Sequence, residues 1–250
     1  MARQTDNGLI FSGHTFMRNR RIPGAGFVDV GNVTALTLKS ESETKERISK
    51  QRGSQGQALD SLVTPKPTSC TIKSDTFDRH NLALALMGKD STLTTVVETI
   101  TDTPVKITSQ GQWYPVGAAN VDVATLIVKT SADVDVDATA FEFNADLGMI
   151  LITPGSTTVP ADSTIKVSFK TIAVKGFQID AGTISSWDME IKVVGENRIT
   201  GKTGTLHIPA VTLGADGEID WFGDDFAESS LSGNVVKDGA KAPYSFTEIE

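Results

Sequence analysis

The chain has 250 residues, a formal net charge of −8 and a single cysteine, Cys70. That length accommodates one large domain or two of ordinary size, and two is the expected number; one cysteine excludes an intramolecular disulfide and a Cys-based zinc or iron–sulfur site built from one chain. The acidic balance argues against a protein that wraps nucleic acid by neutralising phosphates, which needs clustered Lys and Arg, and is consistent either with simple solubility or with a conduit along which DNA slides without sticking.

The opening MARQTDNGLIFSGHTFMRNRR is polar and basic without a continuous apolar core, and no stretch approaches the roughly 18 apolar residues of a membrane span. Neither a signal peptide nor membrane insertion is expected. Short runs of Val, Ile, Thr and Phe, broken by Gly, Pro, Asp and Asn, then recur along the chain and predict a mainly β fold. The strands expected are Val33–Leu38, Cys70–Lys73, Ala124–Lys129, Met149–Thr153, Thr164–Ile172, Met189–Val194 and Gly204–Ile208. Strict alternation in Ile165-Lys166-Val167-Ser168-Phe169-Lys170 gives that strand one wet face.

Residues 39–68 are highly charged, nearly free of aromatic residues and closed by Pro65-Lys66-Pro67. Such a stretch is either a solvated loop or a long two-stranded arm ordered by a neighbour. One short helix is predicted over Asp78–Met87, capped by Asp75 or Asp78 and ended by Gly88 in the left-handed region. Leu82, Ala85 and Leu86 are expected to share its sheet-facing side, widened by Leu84 and Met87. From 95 to 174 the chain reads as a separate small β module, a sandwich of the Ig-like type inserted into a core made of residues 1–94 and 175–250.

Chemistry is hard to place. His14, His80 and His207 lack partners at metal-ligand spacing, and no G-x-S-x-G elbow is present. Asp133, Asp135 and Asp137 form a D-x-D-x-D triplet, but Ala138 and Asn144 stand where an EF-hand needs Gly and Glu, leaving an acidic strand face or another type of calcium site. Glu196 stands where a Walker loop ending at Gly201-Lys202 needs glycine. No catalytic, cofactor-binding or metal-binding residue is assigned.

Gly31-Asn32-Val33-Thr34-Ala35-Leu36-Thr37-Leu38, the charged ESETKERIS segment, Arg52-Gly53-Ser54, Leu59-Asp60-Ser61 and Phe77 to Gly88 resemble, in order and spacing, the N-terminal half of bacteriophage tail tube proteins. The stretch SWDMEIKVVGENRITGKTGTLHIPAVTL and the following GEIDWFGDDFAESSLSGNVV are similar to the closing hairpins of that family. The resemblance implies a β-sandwich or barrel with one flanking helix, six copies to a ring and rings stacked into a tube that passes genome DNA. It also implies tape-measure, tail terminator and tail-tip proteins as partners, with the protein in the virion tail after assembly in the host cytoplasm.

In that family a long arm reaches the adjacent ring, and residues 39–68 stand in its place. Glu41, Glu43, Lys45, Glu46, Arg47, Lys50 and Arg52 are therefore the expected contacts between subunits. Asp29, Glu190 and Glu228 are the expected lumen-facing acids, a choice that one residue of register would reverse. A lumen filled by duplex DNA leaves no room for six inserted domains, so the insertion belongs on the outer wall, which favours a non-contractile tail. Two rival readings are an adhesin-like module in which Trp113 and Tyr114 contact a sugar instead of anchoring a core, and a hydrolase with a convergent acid/base pair.

Overall fold

The computed structural model describes residues 8–249; the first seven residues of the N-terminal stretch read for a signal segment lie outside them. The fold is mainly β with a single α-helix among the described residues. In chain order the elements are β1 (Phe11–Asn19), β2 (Val28–Asp29), β3 (Val33–Lys39), β4 (Ser42–Ile48), β5 (Ala58–Pro65), β6 (Ser69–Ser74), α1 (Arg79–Ala85) and β7 (Lys89–Thr94). There follow β8 (Thr99–Ile107), β9 (Trp113–Pro115), β10 (Val121–Thr130), β11 (Phe141–Asn144), β12 (Met149–Ile152) and β13 (Ser163–Thr171). The chain ends with β14 (Lys175–Asp180), β15 (Trp187–Asn197), β16 (Lys202–Ala215), β17 (Ser229–Val235) and β18 (Ser245–Ile249).

Two compact units result, one from residues 1–90 with 179–250 and the other from 91–178. The dividing points lie outside the expected 95 and 174 because β7 and β14 pair as a two-stranded ribbon by which the chain leaves the first unit and returns to it.

The first unit is built on an eight-stranded antiparallel sheet in the order β2-β1-β15-β16-β17-β6-β3, with β18 also paired to β16. Its core gathers Met17, Ile72, Met189, Ile191, Ile208, Val211, Leu213 and Leu231. Alternation explains which side they take: Met189, Ile191 and Val193 of β15 are buried, whereas Asp188, Glu190 and Lys192 point to the opposite face. The long strand β16 serves two neighbours on one edge, β18 along Thr203–His207 and β17 along Val211–Ala215. Pro209 sits at the changeover, where β16 also bulges against β15 between the pairs Ile191↔Ile208 and Met189↔Val211; a residue with no N–H is tolerated in a central strand only at such a break.

Three glycines lie in register across this sheet, Gly13↔Gly195↔Gly204. A Cβ on Gly195 would come within 2.3 Å of the Ser12 carbonyl, and one on Gly204 within 2.8 Å of the Phe11 ring and 2.9 Å of Phe246. The two phenyl rings meet edge to face, with centroids 6.1 Å apart, over the bare backbone, so aromatic area replaces the side chains that the glycines lack.

The helix begins where expected, with the Asp78 carboxylate accepting from Asn81 N at 2.7 Å; Asp75 instead accepts from the Asn32 amide. Its end differs. Met87 (φ 49°), not Gly88, occupies the left-handed position, and Met87 N and Gly88 N donate to Leu84 O and Ala83 O in a Schellman pattern. Glycine at 88 answers a close approach: a Cβ there would lie 2.7 Å from Ile179 and 2.9 Å from the Asp180 carbonyl. The buried side of the helix is accordingly Asn81, Ala83 and Leu84, continuing into Met87, and not the expected Leu82–Ala85–Leu86 face.

Cys70 is fully buried in β6, and burial pushes its thiol up to about 11. Because the thiolate is the nucleophile, a maleimide added to native protein at pH 7.5 is expected to leave Cys70 unmodified over hours and to label it within minutes once denaturant unfolds the sheet. Rapid labelling of the native protein would contradict this packing.

In the second unit, two three-stranded antiparallel sheets, β10-β13-β8 and β11-β12-β9, enclose one core of Ile107, Val128, Ile150, Ile152, Ile165, Val167 and Phe169. The wet face of β13 is that of Lys166, Ser168 and Lys170. Tyr114 anchors this core by its ring and binds the backbone of Ser109 through its hydroxyl, accepting from N at 2.7 Å and donating to O at 2.9 Å.

Candidate functional site

The charged stretch folds as a hairpin. β4 and β5 pair antiparallel from Ser42↔Pro65 to Arg47↔Asp60, and then, after a bulge, at Ile48↔Ala58. The hairpin prolongs the β3–β6 ribbon, whose last pair is Lys39↔Ser69, with Lys66 N donating to Glu41 O at 2.8 Å across the joint. Every residue of both strands is exposed. The tip is nevertheless built: Ser49 is 1% exposed, shares a hydroxyl contact with Ser54 and exchanges backbone bonds with Gly56 and Gln57.

A two-stranded ribbon without a third strand or a covering face is marginal in water. This one also holds Ile48, Leu59, Leu62 and Val63 in solvent, at 47–63% exposure. Polar contacts along it are local. Arg47 holds Asp60 through Nε at 2.7 Å, Lys39 pairs with Glu41, and Glu43 reaches Lys66 only at 4.0 Å. Among the described residues, Lys45, Glu46, Lys50 and Arg52 make no ion pair within the chain. The seven residues expected between subunits thus share one hairpin, with four of their charges uncommitted.

The expected lumen acids are not gathered. Asp29 ends β2, accepts from Gly31 N and lies 3.5 Å from His14 Nδ1. Glu228 precedes β17 and pairs with Lys73 at 3.7 Å. Glu190 is 6% exposed and is no open acid: Arg18 Nε donates to one carboxylate oxygen at 2.7 Å and His207 Nε2 lies 2.7 Å from the other. These three side chains form a row across β1, β15 and β16, flanked by Phe27, whose ring lies under Arg18 and Lys192. Burial by itself would raise the Glu190 pKa; the hydrogen bonds from His207 and Arg18 and the Arg18 charge outweigh it and hold the carboxyl below its usual range. Arg20, one residue past the end of β1, continues the pattern, bridging Asp188 and Asp238 at 3.0 and 3.1 Å.

The acidic stretch expected only as part of a closing hairpin holds one further feature. The segment between β16 and β17 exposes Trp221, Phe222 and Phe226 at 64, 97 and 99%, beside an open depression of about 650 Å³ lined by Asp216, Glu218, Asp224 and Asp225.

The triplet Asp133, Asp135 and Asp137 is dispersed, since Asp133 pairs with Lys166 at 2.7 Å and Asp137 caps a short turn by accepting from Thr139. Among the described residues no group of three His, Cys, Asp or Glu side chains is placed to hold a metal ion. Of the aromatic pair weighed for sugar contact, Tyr114 is a core anchor while Trp113 is 41% exposed.

No curated protein matches the chain. A family model matches residues 9–245, nearly the whole length, and its description is protein of unknown function UCP028589. The chain, with its exposed hairpin and its glycine-crossed sheet, belongs to that family.

Proposed function

We propose that this protein is a structural subunit that assembles with copies of itself into stacked rings, forming the tail tube of a bacteriophage through which genome DNA passes. The observation that supports this reading best is the β4–β5 hairpin, a pre-folded arm that no described residue of its own chain covers, with apolar and charged side chains held in water. Such an arm gains its stabilisation when a neighbour covers it. The free outer edges of β2 and β3 add backbone donors and acceptors for the same purpose. The net charge of −8 suits a conduit from which DNA must slide free. Hexameric rings, and tape-measure, terminator and tail-tip partners, belong to this proposal through the family resemblance.

The test compares the whole chain with a variant in which residues 41–66 are replaced by a two-residue Gly-Ser turn. Ser40 and Thr68 touch through their hydroxyls at 3.0 Å, so a short turn closes the gap without strain. Negative-stain electron microscopy over a concentration series is expected to show rings or tubes, with a channel wide enough for duplex DNA, for the whole chain and only monomers for the variant, which keeps its far-UV spectrum. A whole chain that remains monomeric at every concentration, with tail-tip components added, overturns the reading.

A further inference from the structure

We propose that the tip of the β4–β5 hairpin docks on the Trp221–Phe226 loop of a second copy of this chain. The inference rests on the self-assembly reading above and adds to it the receiving surface, which neither the sequence nor the resemblance supplied.

Topology provides the first support. Strand β6 runs from Ser69 to Ser74, pairing with β3 on one side and with β17 on the other. The hairpin departs from its Ser69 end, beyond Lys39↔Ser69, and continues outward. The aromatic loop enters β17 at the other end, where Ser229 faces Ser74. Five residue steps at about 3.3 Å put roughly 17 Å between the two ends, and the arm adds about 20 Å in the opposite direction from the loop. The two features cannot meet within one chain. They can meet when a second copy is displaced along the strand direction, which makes the contact heterologous and able to repeat.

Chemistry provides the second. Phe222 and Phe226, almost wholly in water, and Trp221, about two-thirds exposed, constitute the largest exposed aromatic group among the described residues. The hairpin offers matching apolar area at Ile48 and Leu59, next to its tip. Charge is complementary as well. The uncommitted charges of the arm are three cations, Lys45, Lys50 and Arg52, against Glu46, whereas Asp216, Glu218, Asp220, Asp224 and Asp225 around the loop have no cationic partner among the described residues. The ordered tip, fixed by Ser49, keeps its basic residues presented before contact, which limits the entropy lost on docking.

The test is a charge exchange read by sedimentation velocity and tryptophan emission on the full chain. Lys50→Glu with Arg52→Glu, and separately Asp224→Lys with Asp225→Lys, are each expected to raise the concentration of half-assembly at least about tenfold, and the four substitutions together to restore it. Trp221 emission should shift to the blue on assembly of the wild type and of the four-fold variant. All four residues are exposed, and unchanged melting of each variant verifies its fold. Wild-type assembly that the paired substitutions leave unaltered, or that the combination fails to restore, overturns this docking while leaving self-assembly in place. A wild type that never assembles overturns both.

Discussion

Glu190→Ala is expected to lower the unfolding free energy of the first unit by about 3 kcal/mol, the lower end of the cost of breaking a buried ion pair. The lower end applies because the partners left behind are not sealed in: the Arg18 and His207 side chains are 42% and 35% exposed, so both can turn to water. A loss of that size corresponds to a fall in melting temperature of roughly 6–12 °C for a unit of this length, which calorimetry resolves. The pH dependence follows from the direction of the shift. A carboxyl held below its ordinary value in the folded state contributes stability above the unfolded pKa, about 4.3, and loses it as pH falls through the folded one. Glu190→Gln should therefore flatten the acid limb of the stability curve below about pH 4.5 relative to wild type. A variant as stable as wild type at pH 7, with an unchanged acid limb, would show that Arg18 and His207 do not rely on this carboxylate.

The glycine row separates two kinds of crowding. Gly195→Ala places its Cβ 2.3 Å from the Ser12 carbonyl and 2.8 Å from Gly13 Cα, so the added methyl meets backbone and the β1–β15 pair must part. Overpacking costs typically about 1–3 kcal/mol, and this substitution is expected at or above the upper end. For Gly204→Ala the three nearest atoms all belong to the Phe11 and Phe246 rings, which can swing aside, and the substitution should cost about 1 kcal/mol. Adding Phe246→Ala, which leaves the Phe11 contact at 2.8 Å, should then remove part of the penalty at 204 and little of that at 195, an interaction that a double-mutant cycle measures by chemical denaturation. Equal costs at the two positions would refute the distinction.

Legibility in the sequence followed apolar patterning more than burial. The seven expected strands correspond to β3, β6, β10, β12, β13, β15 and β16; β12, β13, β15 and β16 each bury two or more apolar side chains, whereas β3 has only the partly buried Val33, Leu36 and Leu38. β1 gave no such pattern: only Thr15 and Met17 of its nine residues are buried, and Gly13 and His14 dilute the rest. Without β1, the Arg18 partner of Glu190 was invisible, although Asp188, Glu190 and Lys192 already marked one face of β15. The helix was located but its face was rotated: Asn81, whose amide donates to Val30 O, and Ala83 are buried in place of Leu82, Ala85 and Leu86. Residues 39–68 had too few apolar positions to choose between loop and ribbon. The exposure of Trp221, Phe222 and Phe226 could not be read at all, since aromatic residues ordinarily argue for burial.

Pro209 divides one edge of β16 between two clients, and the division separates their fates. β18 holds only Thr203–His207, and all five of its residues are exposed. Peeling that last strand away would uncover a five-residue stretch of backbone edge in the middle of the sheet while the β16–β17 pairs beyond the proline stay closed. Among the described residues β18 pairs with β16 alone, so the place it fills beside Gly204 is one shaped for an extended strand carrying a phenyl ring.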